Sequence, residues 1–251
     1  MAMKYLGPSF DLHSGGEDNI FPHHECEIAQ SEAHTGEAFV GTWIHCRHLM
    51  VDGKKMSKSQ GNFFTVKDVL GRGFSGVELR YALIRSHYRQ SLNFTLKGLE
   101  EARHAIGRVQ QARKRLVMIR EGEQASGSED LAGPVAGAQE EFIAAIGDDL
   151  NTSEALAAVF GLVSSANRAS PSRDGAAQAL ETFARIEEVL GCFGPEPAIG
   201  AIPEEMVALL EQREKARGAK DWGEADRLRD LIAERGFKIV DTAQGPRLER
   251  G

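Results

Sequence analysis

The pattern of apolar positions changes at about residue 62 of this 251-residue chain. Before that point it is mixed, with helical spacing over 23–34, β-branched and aromatic residues at 39–44, and a short apolar run at 48–51. Strand and helix patterns that alternate in this way suit a doubly wound α/β domain, but about sixty residues are too few for a complete one. We therefore expect part of such a domain here.

Helical spacing dominates the rest of the chain. Thr65 and Asp68 form a capping-box-like start, and Asn151 is a predicted N-cap further on. The helical patterns cover residues 77–88, 96–119, 140–146, 153–167, 176–190, 204–220 and 222–235. A predicted hairpin over 237–241 and 246–250 follows. The predicted fold is mixed and mostly α: a partial Rossmann-type α/β segment followed by an α-helical bundle and a small α+β C-terminal domain.

Composition narrows the class of protein. The chain has 41% apolar and 27% charged residues, and no apolar run approaches the ~18–20 residues that a membrane helix needs. Its three cysteines, Cys26, Cys46 and Cys192, lack the even count and close spacing of a disulfide scaffold. The first residues show no signal-peptide pattern. We expect a cytoplasmic protein with no membrane partner.

Charge is unevenly distributed along the chain. The net charge is −7, yet residues 103–120 contain six Arg and Lys residues and no acid. Such a run is commonly a solvated helix face. Because acid-free basic stretches often contact phosphates, we favour binding to a nucleic-acid backbone.

The pentapeptide Lys-Met-Ser-Lys-Ser at 55–59 is the most informative local signal. Lys55 and Lys58 stand three apart among hydroxyl residues and glycines, which predicts an open cationic loop with many donors. The ammonium groups of such a loop can offset the charge that develops as pyrophosphate leaves a polyphosphate. The alternative is a solvated surface turn, and the neighbouring segments decide between the two.

A second concentration of polar residues lies at 11–27, where Gly15-Gly16 precedes a helical pattern. His23 and Glu27 are four apart, so on a helix they share one face and can bind the same ion. An imidazole and a carboxylate make half of a tetrahedral zinc site. The alternative is a helix start with unrelated polar residues, and Cys26 lies on a different face.

These segments together resemble cysteinyl-tRNA synthetases. The pattern Asp-Leu-His-x-Gly-Gly-x-Asp-x-Ile-Phe-Pro-His-His-Glu-x-Glu begins at Asp11, and Trp-Ile-His at 43–45 precedes the lysine pentapeptide. Matching segments also stand at 79–81, 86–89, 148–152 and 216–226. The resemblance extends over essentially the whole chain.

The resemblance implies a class I enzyme that activates cysteine with ATP and magnesium and transfers the cysteinyl group to cysteine tRNA. It implies that a zinc ion selects cysteine by binding its thiolate, because a thiolate is a softer ligand than the hydroxyl group of serine. By position, His23 and Glu27 correspond to two of the four zinc ligands. His13 and Asp18 correspond to the amino-acid and adenylate pocket. Lys58, supported by Lys55, corresponds to the lysine that stabilises the triphosphate.

The same resemblance assigns the last residues to anticodon recognition. The candidate tRNA-binding residues are Arg217, Trp222, Asp226 and Asp241, since unstacked bases can stack on aromatic rings and pair with carboxylates. A buried core position for Trp222 is the alternative. The resemblance implies five segments. The C-terminal half of a Rossmann catalytic domain, with the lysine loop, covers 1–62, and stem-contact helices cover 63–120. A linker at 121–139 is followed by a helical anticodon-binding-type bundle at 140–195 and a small anticodon-recognition domain at 203–251.

The resemblance also implies groups that this sequence does not contain. The family's other two zinc ligands are cysteines, and its His-Ile-Gly-His element binds ATP; both would precede residue 1. The zinc site and the ATP site are therefore half present, and catalysis is expected to need an N-terminal catalytic half in trans. Two alternatives are a stand-alone tRNA-binding module with a vestigial catalytic remnant, and a tRNA-independent cysteine ligase of the mycothiol type.

Overall fold

The computed structural model describes residues 2–57, 61–197, 204–219, 221–242 and 245–250. They form two units, 1–197 and 198–251, which are described separately. The helices are α1 Ala2–Leu6, α2 Glu25–Thr35, α3 Val66–Gly71, α4 Gly76–Ile84, α5 Leu96–Glu121, α6 Ala132–Gly147, α7 Thr152–Arg168, α8 Arg173–Leu190, α9 Glu204–Gly218 and α10 Trp222–Glu234. The strands are β1 Phe10–Gly16, β2 Val40–Cys46, β3 Leu49–Val51, β4 Lys54–Lys55, β5 Leu92–Phe94, β6 Phe237–Thr242 and β7 Gly245–Arg250. The mixed, mostly helical fold class is confirmed.

A β–α–β unit forms the first part of the chain. Strands β1 and β2 pair in parallel, with Phe10 opposite Val40 and Gly16 opposite Cys46, and α2 makes the crossover that a parallel pair needs. The sequence pattern did not predict β1. In this pair the carboxyl ends of both strands meet at one edge, which is where α/β folds place their ligands.

A second small sheet follows. Strand β3 lies between β4, to which it is antiparallel, and β5, to which it is parallel. Strand β4 ends at Lys55, the first residue of the lysine pentapeptide, whose residues 58 and 59 lie outside the described part of the chain. This sheet therefore fixes one end of the lysine loop.

Several helices of the first unit begin at side-chain caps. Thr65 and Asp68 form the predicted capping box, Ser75 and Glu78 form another, and Asn151 caps α7 as predicted. The long helix α5 packs against α4, α7 and α8, and buries Leu99, Leu116 and Ile119. The core of the first unit is thus built around α5.

Two predicted boundaries were wrong in this region. The predicted linker, 121–139, overlaps α6, which begins at Ala132 because Pro134 is tolerated in a first turn and Val135 and Ala138 are buried. Within the same segment, the amide of Gly127 donates to the carbonyl of Pro171. Helix α4 ends at Ile84, so the end of the predicted helix 77–88 is a turn instead.

The basic run at 103–120 is largely used for contacts within the protein. Arg103 pairs with Glu78, Arg113 is buried and donates to the carbonyl of Gly194, and Arg120 pairs with Glu196. The guanidinium of Arg115 donates to the carbonyls of Ala166 and Ala169, and that of Arg108 lies over Phe160. These contacts fix helices to one another, a use that the sequence-based preference for phosphate contacts did not foresee.

The second unit packs α9 and α10 against a β6–β7 hairpin, which confirms the predicted hairpin. Its core contains Met206, Ile232, Phe237 and Leu248. Within the described ranges of both units, no helix has the length and apolar character needed to cross a membrane.

Candidate active site

Histidines from β1, β2 and the start of α2 lie close together near the carboxyl ends of the two parallel strands. His13 lies opposite Trp43 in the register of β1 and β2, and the two rings stack at 4.6 Å. His24, at the start of α2, is 4% exposed, and its Nδ1 lies 2.8 Å from Nε2 of His45. Burial lowers the pKa of His24, and the neighbouring His13 and His45 lower it further. The lowered pKa favours the neutral form of the His24 imidazole.

Glu27 joins this cluster through both of its oxygens. Its Oε2 lies 3.0 Å from Nε2 of His13, and its Oε1 lies 3.7 Å from Nε2 of His23. Ligand atoms of His13, His24 and Glu27 all lie within 4.8 Å of one another. The structure thus groups the predicted ligand Glu27 with His13 and His24 as well as with the predicted ligand His23, which is 65% exposed.

The donor set suits zinc, which takes imidazole nitrogens and carboxylate oxygens. Two ligands of one tetrahedral zinc ion stand roughly 3.3–3.5 Å apart, given metal–ligand bonds of about 2.0–2.2 Å. The 3.7 Å between His23 and Glu27 is close to that separation. The 3.0 Å between His13 and Glu27 is a hydrogen-bond distance, so His13 has the geometry of a group that orients the carboxylate.

Gly15 and Gly16 make room for side chains of this site. A Cβ on Gly15 would lie 2.6 Å from Cε1 of His24, and one on Gly16 would lie 2.5 Å from Oδ1 of Asp18. The two glycines allow His24 and Asp18 to fold back against β1. Any larger residue would displace one of these two side chains.

The lysine loop begins beside Asp18. Nζ of Lys55 and Nε2 of His48 each lie 4.0 Å from Oδ2 of Asp18. These three residues border a cavity of about 260 Å³ with Met56 and Phe63. The structure therefore brings the predicted adenylate-pocket residue Asp18 next to the predicted catalytic residue Lys55. Lys58, the other predicted loop lysine, lies outside the described residues.

Asn62 joins the two ends of the described loop. Its Oδ1 accepts from the amide of Ser57 at 2.9 Å, and its Nδ2 donates to the carbonyl of Lys55 at 3.1 Å. Sequence reasoning did not single out Asn62, although it closes the Lys-Met-Ser-Lys-Ser-Gln-Gly-Asn segment. Its side chain sets the distance between the ends of the loop.

Asp149 is a second residue that sequence reasoning did not assign a role. It lies in the turn between α6 and α7 with a positive φ of 54°. Its Oδ1 accepts from the hydroxyl of Tyr88 at 2.5 Å, and its Oδ2 accepts from Nε of Arg89. The segments at 86–89 and 148–152 both carried the family resemblance, but the resemblance did not indicate that they are in contact.

Comparison with known protein families accounts for most of the chain. The model described as "tRNA synthetases class I (C) catalytic domain" matches residues 1–104, the "DALR domain" matches 141–194, and the "Cysteinyl-tRNA ligase anticodon binding domain" matches 200–245.

The chain belongs to the cysteinyl-tRNA synthetase family.

Curated relatives agree with this assignment. A cysteine–tRNA ligase of Chlamydia caviae is 45% identical over 254 residues, which cover 100% of this chain and 53% of the relative. One of Brachyspira hyodysenteriae is 41% identical over 259 residues, covering 100% of this chain and 54% of the relative. The chain thus spans about half the length of the curated relatives that it matches.

A solved structure shares the fold. The agnB2 LeuRS–tRNA–LeuAMS ternary complex of Agrobacterium radiobacter K84 contains a chain that is 19% identical, with a TM-score of 0.54. The match covers 76% of this chain and 29% of that chain. At this identity the likeness supports the fold alone.

The anticodon-binding match contains the four predicted tRNA-binding residues. Trp222 opens α10 and is 60% exposed, so the alternative of a buried core anchor was wrong. Asp226 lies one turn further along the same helix, and Arg217 lies near the end of α9. Asp241 belongs to β6, and its side chain lies outside the described part of the structure.

Proposed function

We propose that the chain is part of a cysteinyl-tRNA synthetase that uses ATP and magnesium to activate cysteine and then transfers the cysteinyl group to cysteine tRNA. In this reaction the cysteine carboxylate attacks the α-phosphorus of ATP and pyrophosphate leaves. The 3′-terminal ribose hydroxyl of the tRNA then attacks the cysteinyl adenylate and releases AMP. The observation that carries the proposal is the 4.0 Å separation between Nζ of Lys55 and Oδ2 of Asp18, because the family resemblance assigns the first to the lysine loop and the second to the adenylate pocket.

Lys55 and Lys58 are proposed to stabilise the leaving pyrophosphate, and His13 and Asp18 to line the amino-acid and adenylate pocket. An ammonium group within reach of the reacting phosphates offsets the negative charge that develops in the transition state. Asn62 supports this role, because its two hydrogen bonds join the segment after Lys58 to Lys55 and Ser57.

His23 and Glu27 are proposed to hold zinc, with His13 orienting the Glu27 carboxylate. When bound, zinc would supply a cation that prefers a thiolate to a hydroxyl group. The other ligands and the His-Ile-Gly-His element would come from an N-terminal catalytic half, acting in trans or as part of a longer chain.

Arg217, Trp222, Asp226 and Asp241 are proposed to bind the anticodon region. Trp222 offers an exposed ring on which an unstacked base can stack, while the core of the second unit is formed by other residues. The anticodon-binding match at 200–245 also speaks against the mycothiol-type ligase, which has no need of tRNA.

Binding to cysteine tRNA tests the RNA part of this proposal. We expect a gel shift with cysteine tRNA that weakens about fivefold or more in Trp222→Ala, because one base–aromatic stack is lost. Trp222→Phe should retain most of the affinity, and Tyr5→Ala, which removes an exposed aromatic ring on α1, serves as the control. No shift with cysteine tRNA would reject this part and leave a tRNA-independent ligase as the better account.

Pyrophosphate exchange tests the catalytic part. The chain is mixed with the N-terminal catalytic half of a relative, and cysteine-dependent exchange is measured with and without Lys55→Ala. Exchange that needs both components and falls in the variant supports the proposal. Tight tRNA binding without any restored exchange would favour the second candidate, a stand-alone tRNA-binding module, which the separate core of the second unit makes structurally feasible.

A further inference from the structure

A cleft separate from the lysine-loop cavity opens beside the histidine cluster. It has a volume of about 270 Å³ and is bordered by Trp43, His45, Arg47, Tyr88 and Arg89, together with Glu17 and Ile20. Trp43 and His45 belong to β2 and Arg47 follows it, while Tyr88 and Arg89 follow α4. The cleft therefore lies where the carboxyl edge of the parallel pair faces the helical part of the same unit.

Flat rings and guanidinium groups dominate the walls of this cleft. The rings of Trp43 and His45 are nearly parallel, with an interplanar angle of 2° and 6.0 Å between centroids. The guanidinium of Arg89 lies 5.3 Å from the centre of the Tyr88 ring. Such walls suit a nucleobase, which stacks on aromatic faces, and its phosphate, which pairs with guanidinium groups.

Hydrogen bonds hold Tyr88 and Arg89 in place, and an ion pair holds Arg47. Asp149 accepts from Tyr88 and Arg89, and Nε of Arg47 lies 3.1 Å from Oε2 of Glu17. Nε of Arg89 also donates to the Tyr88 hydroxyl at 3.1 Å. One carboxylate from the α6–α7 turn thus fixes two adjacent side chains that line the cleft, so their arrangement is specified by a distant part of the sequence.

We propose that this cleft binds one unpaired RNA nucleotide, with its base against the Tyr88 and Trp43 rings and its phosphate at Arg89 and Arg47, and that Asp149 is a positioning residue. This inference rests on the proposed function in taking RNA as the ligand. An unpaired nucleotide of RNA is favoured over free ATP because the lysine loop borders its own cavity at Asp18. The cleft also adjoins His45, which contacts the histidine cluster, so a bound RNA end would lie next to the candidate active site.

A labelled RNA hairpin with an unpaired 3′ extension is the probe, and the same hairpin with a blunt end is the reference. The hairpin has no anticodon, so its binding is independent of Trp222. In fluorescence anisotropy with the full chain, we expect the extended hairpin to bind about fivefold or more tightly than the blunt one, since one stacked base contributes that much. Equal binding of the two hairpins would overturn the inference.

Variants separate the roles of the two lining residues. Tyr88→Ala should remove the preference for the extended hairpin and leave the salt dependence of binding unchanged. Arg89→Ala should weaken binding and reduce the slope of log affinity against log salt by about one, because one phosphate contact is lost. Tyr5→Ala and Arg185→Ala, at exposed positions away from the cleft, are matched controls. Variants at Tyr88 and Arg89 that bind like the wild type would overturn the inference.

Asp149→Asn tests the positioning role, with circular dichroism to verify folding. We expect it to weaken binding of the extended hairpin several-fold while the blunt hairpin binds as before, which a general loss of structure would not produce. Competition by free AMP as strong as by the extended hairpin would reassign the cleft to mononucleotides. If the hairpins show no preference while cysteine tRNA still binds through Trp222, only this inference fails. If neither RNA binds, the proposed function fails with it.

Discussion

Nε2 of His13 lies 3.0 Å from Oε2 of Glu27, which joins the middle of β1 to the first turn of α2. The other oxygen of the same carboxylate faces His23. Oε2 of Glu27 thus has a hydrogen-bond partner in His13, while Oε1 faces His23 at a distance close to that between two ligands of one zinc ion. This division is the pattern of a metal-binding carboxylate that is oriented by a neighbouring histidine.

The first prediction concerns zinc. We expect the chain to bind zinc weakly, and Glu27→Gln and His23→Ala each to lower its affinity strongly, because each removes a proposed ligand. His13→Ala should lower the affinity about 10- to 100-fold, since it removes the group that orients Glu27. Competition with a zinc-sensitive dye measures all three effects.

His34→Ala is the matched control for zinc binding, since His34 is an exposed histidine on the same helix, α2. It should leave the affinity unchanged. His24→Ala distinguishes the two possible ligand sets. If this variant loses as much affinity as Glu27→Gln while His23→Ala loses none, the ion is held by His13, His24 and Glu27 instead.

The second prediction concerns the lysine loop. Asn62→Ala removes two hydrogen bonds that join the loop ends, each of about 1 kcal/mol. Opening of the loop should become about 5- to 30-fold more frequent, and trypsin should cleave after Lys54 and Lys55 correspondingly faster. Limited proteolysis followed by mass spectrometry measures this rate. Asn167→Ala, at an exposed position on α7, should leave it unchanged, and equal rates in both variants would show that Asn62 does not hold the loop.

Local signals in the sequence were sufficient for the helical part of the fold. The Thr65–Asp68 capping box and the Asn151 cap require only residues three apart, so they could be predicted without knowledge of tertiary contacts. Strand β1 could not, because Phe-Asp-Leu-His-Ser-Gly-Gly has no β-branched residue and becomes a strand through its pairing with β2. The candidate site lies on this non-local element.

Partners distant in sequence were equally hidden. The Tyr88–Asp149 hydrogen bond joins residues 61 positions apart, and nothing in either local pattern indicates it. The basic run at 103–120 was visible, but not the carbonyls and carboxylates that its arginines contact. Sequence position shows where charges are, while only the packing of α5 against other helices shows what they bind.

The third prediction tests that conclusion. Nη1 and Nη2 of Arg115 donate to the carbonyls of Ala166 and Ala169 at 2.6 and 2.9 Å, at the C-terminal end of α7. Arg115→Ala should lower the free energy of unfolding by about 1.5–3 kcal/mol, because charge-assisted bonds are lost. Arg115→Lys should restore only part of it, since an ammonium cannot form the same fork. Chemical denaturation gives these values.

Lys97→Ala, an exposed cation in the first turn of α5, is the control for Arg115. It should change the free energy of unfolding by less than about 0.5 kcal/mol. A result in which Arg115→Ala weakens RNA binding but leaves the unfolding free energy unchanged would contradict the structural role and restore the phosphate-contact hypothesis.

The fourth prediction concerns Asp149 and pH. Its hydrogen bond raises the pKa of Tyr88, although the Arg89 guanidinium acts in the opposite direction. In the same contact, Arg89 holds the pKa of Asp149 below its usual range. The contact therefore contributes stability above the ordinary pKa of an aspartate, and that contribution is lost as the pH falls through the lowered pKa of the folded protein.

Asp149→Asn should lower the pKa of Tyr88, because the phenolate would no longer form beside a negatively charged carboxylate. The Arg89 guanidinium would still stabilise the phenolate. The chain has three tyrosines, so the ultraviolet absorbance titration is done with Tyr5→Phe and Tyr81→Phe in the background, with and without Asp149→Asn. The substitution Asp130→Asn, before α6, should leave the titration unchanged. An unaltered Tyr88 pKa in Asp149→Asn would mean that the hydroxyl and the carboxylate are not bonded in solution, and the cleft would then lack the contact that fixes its Tyr88 wall.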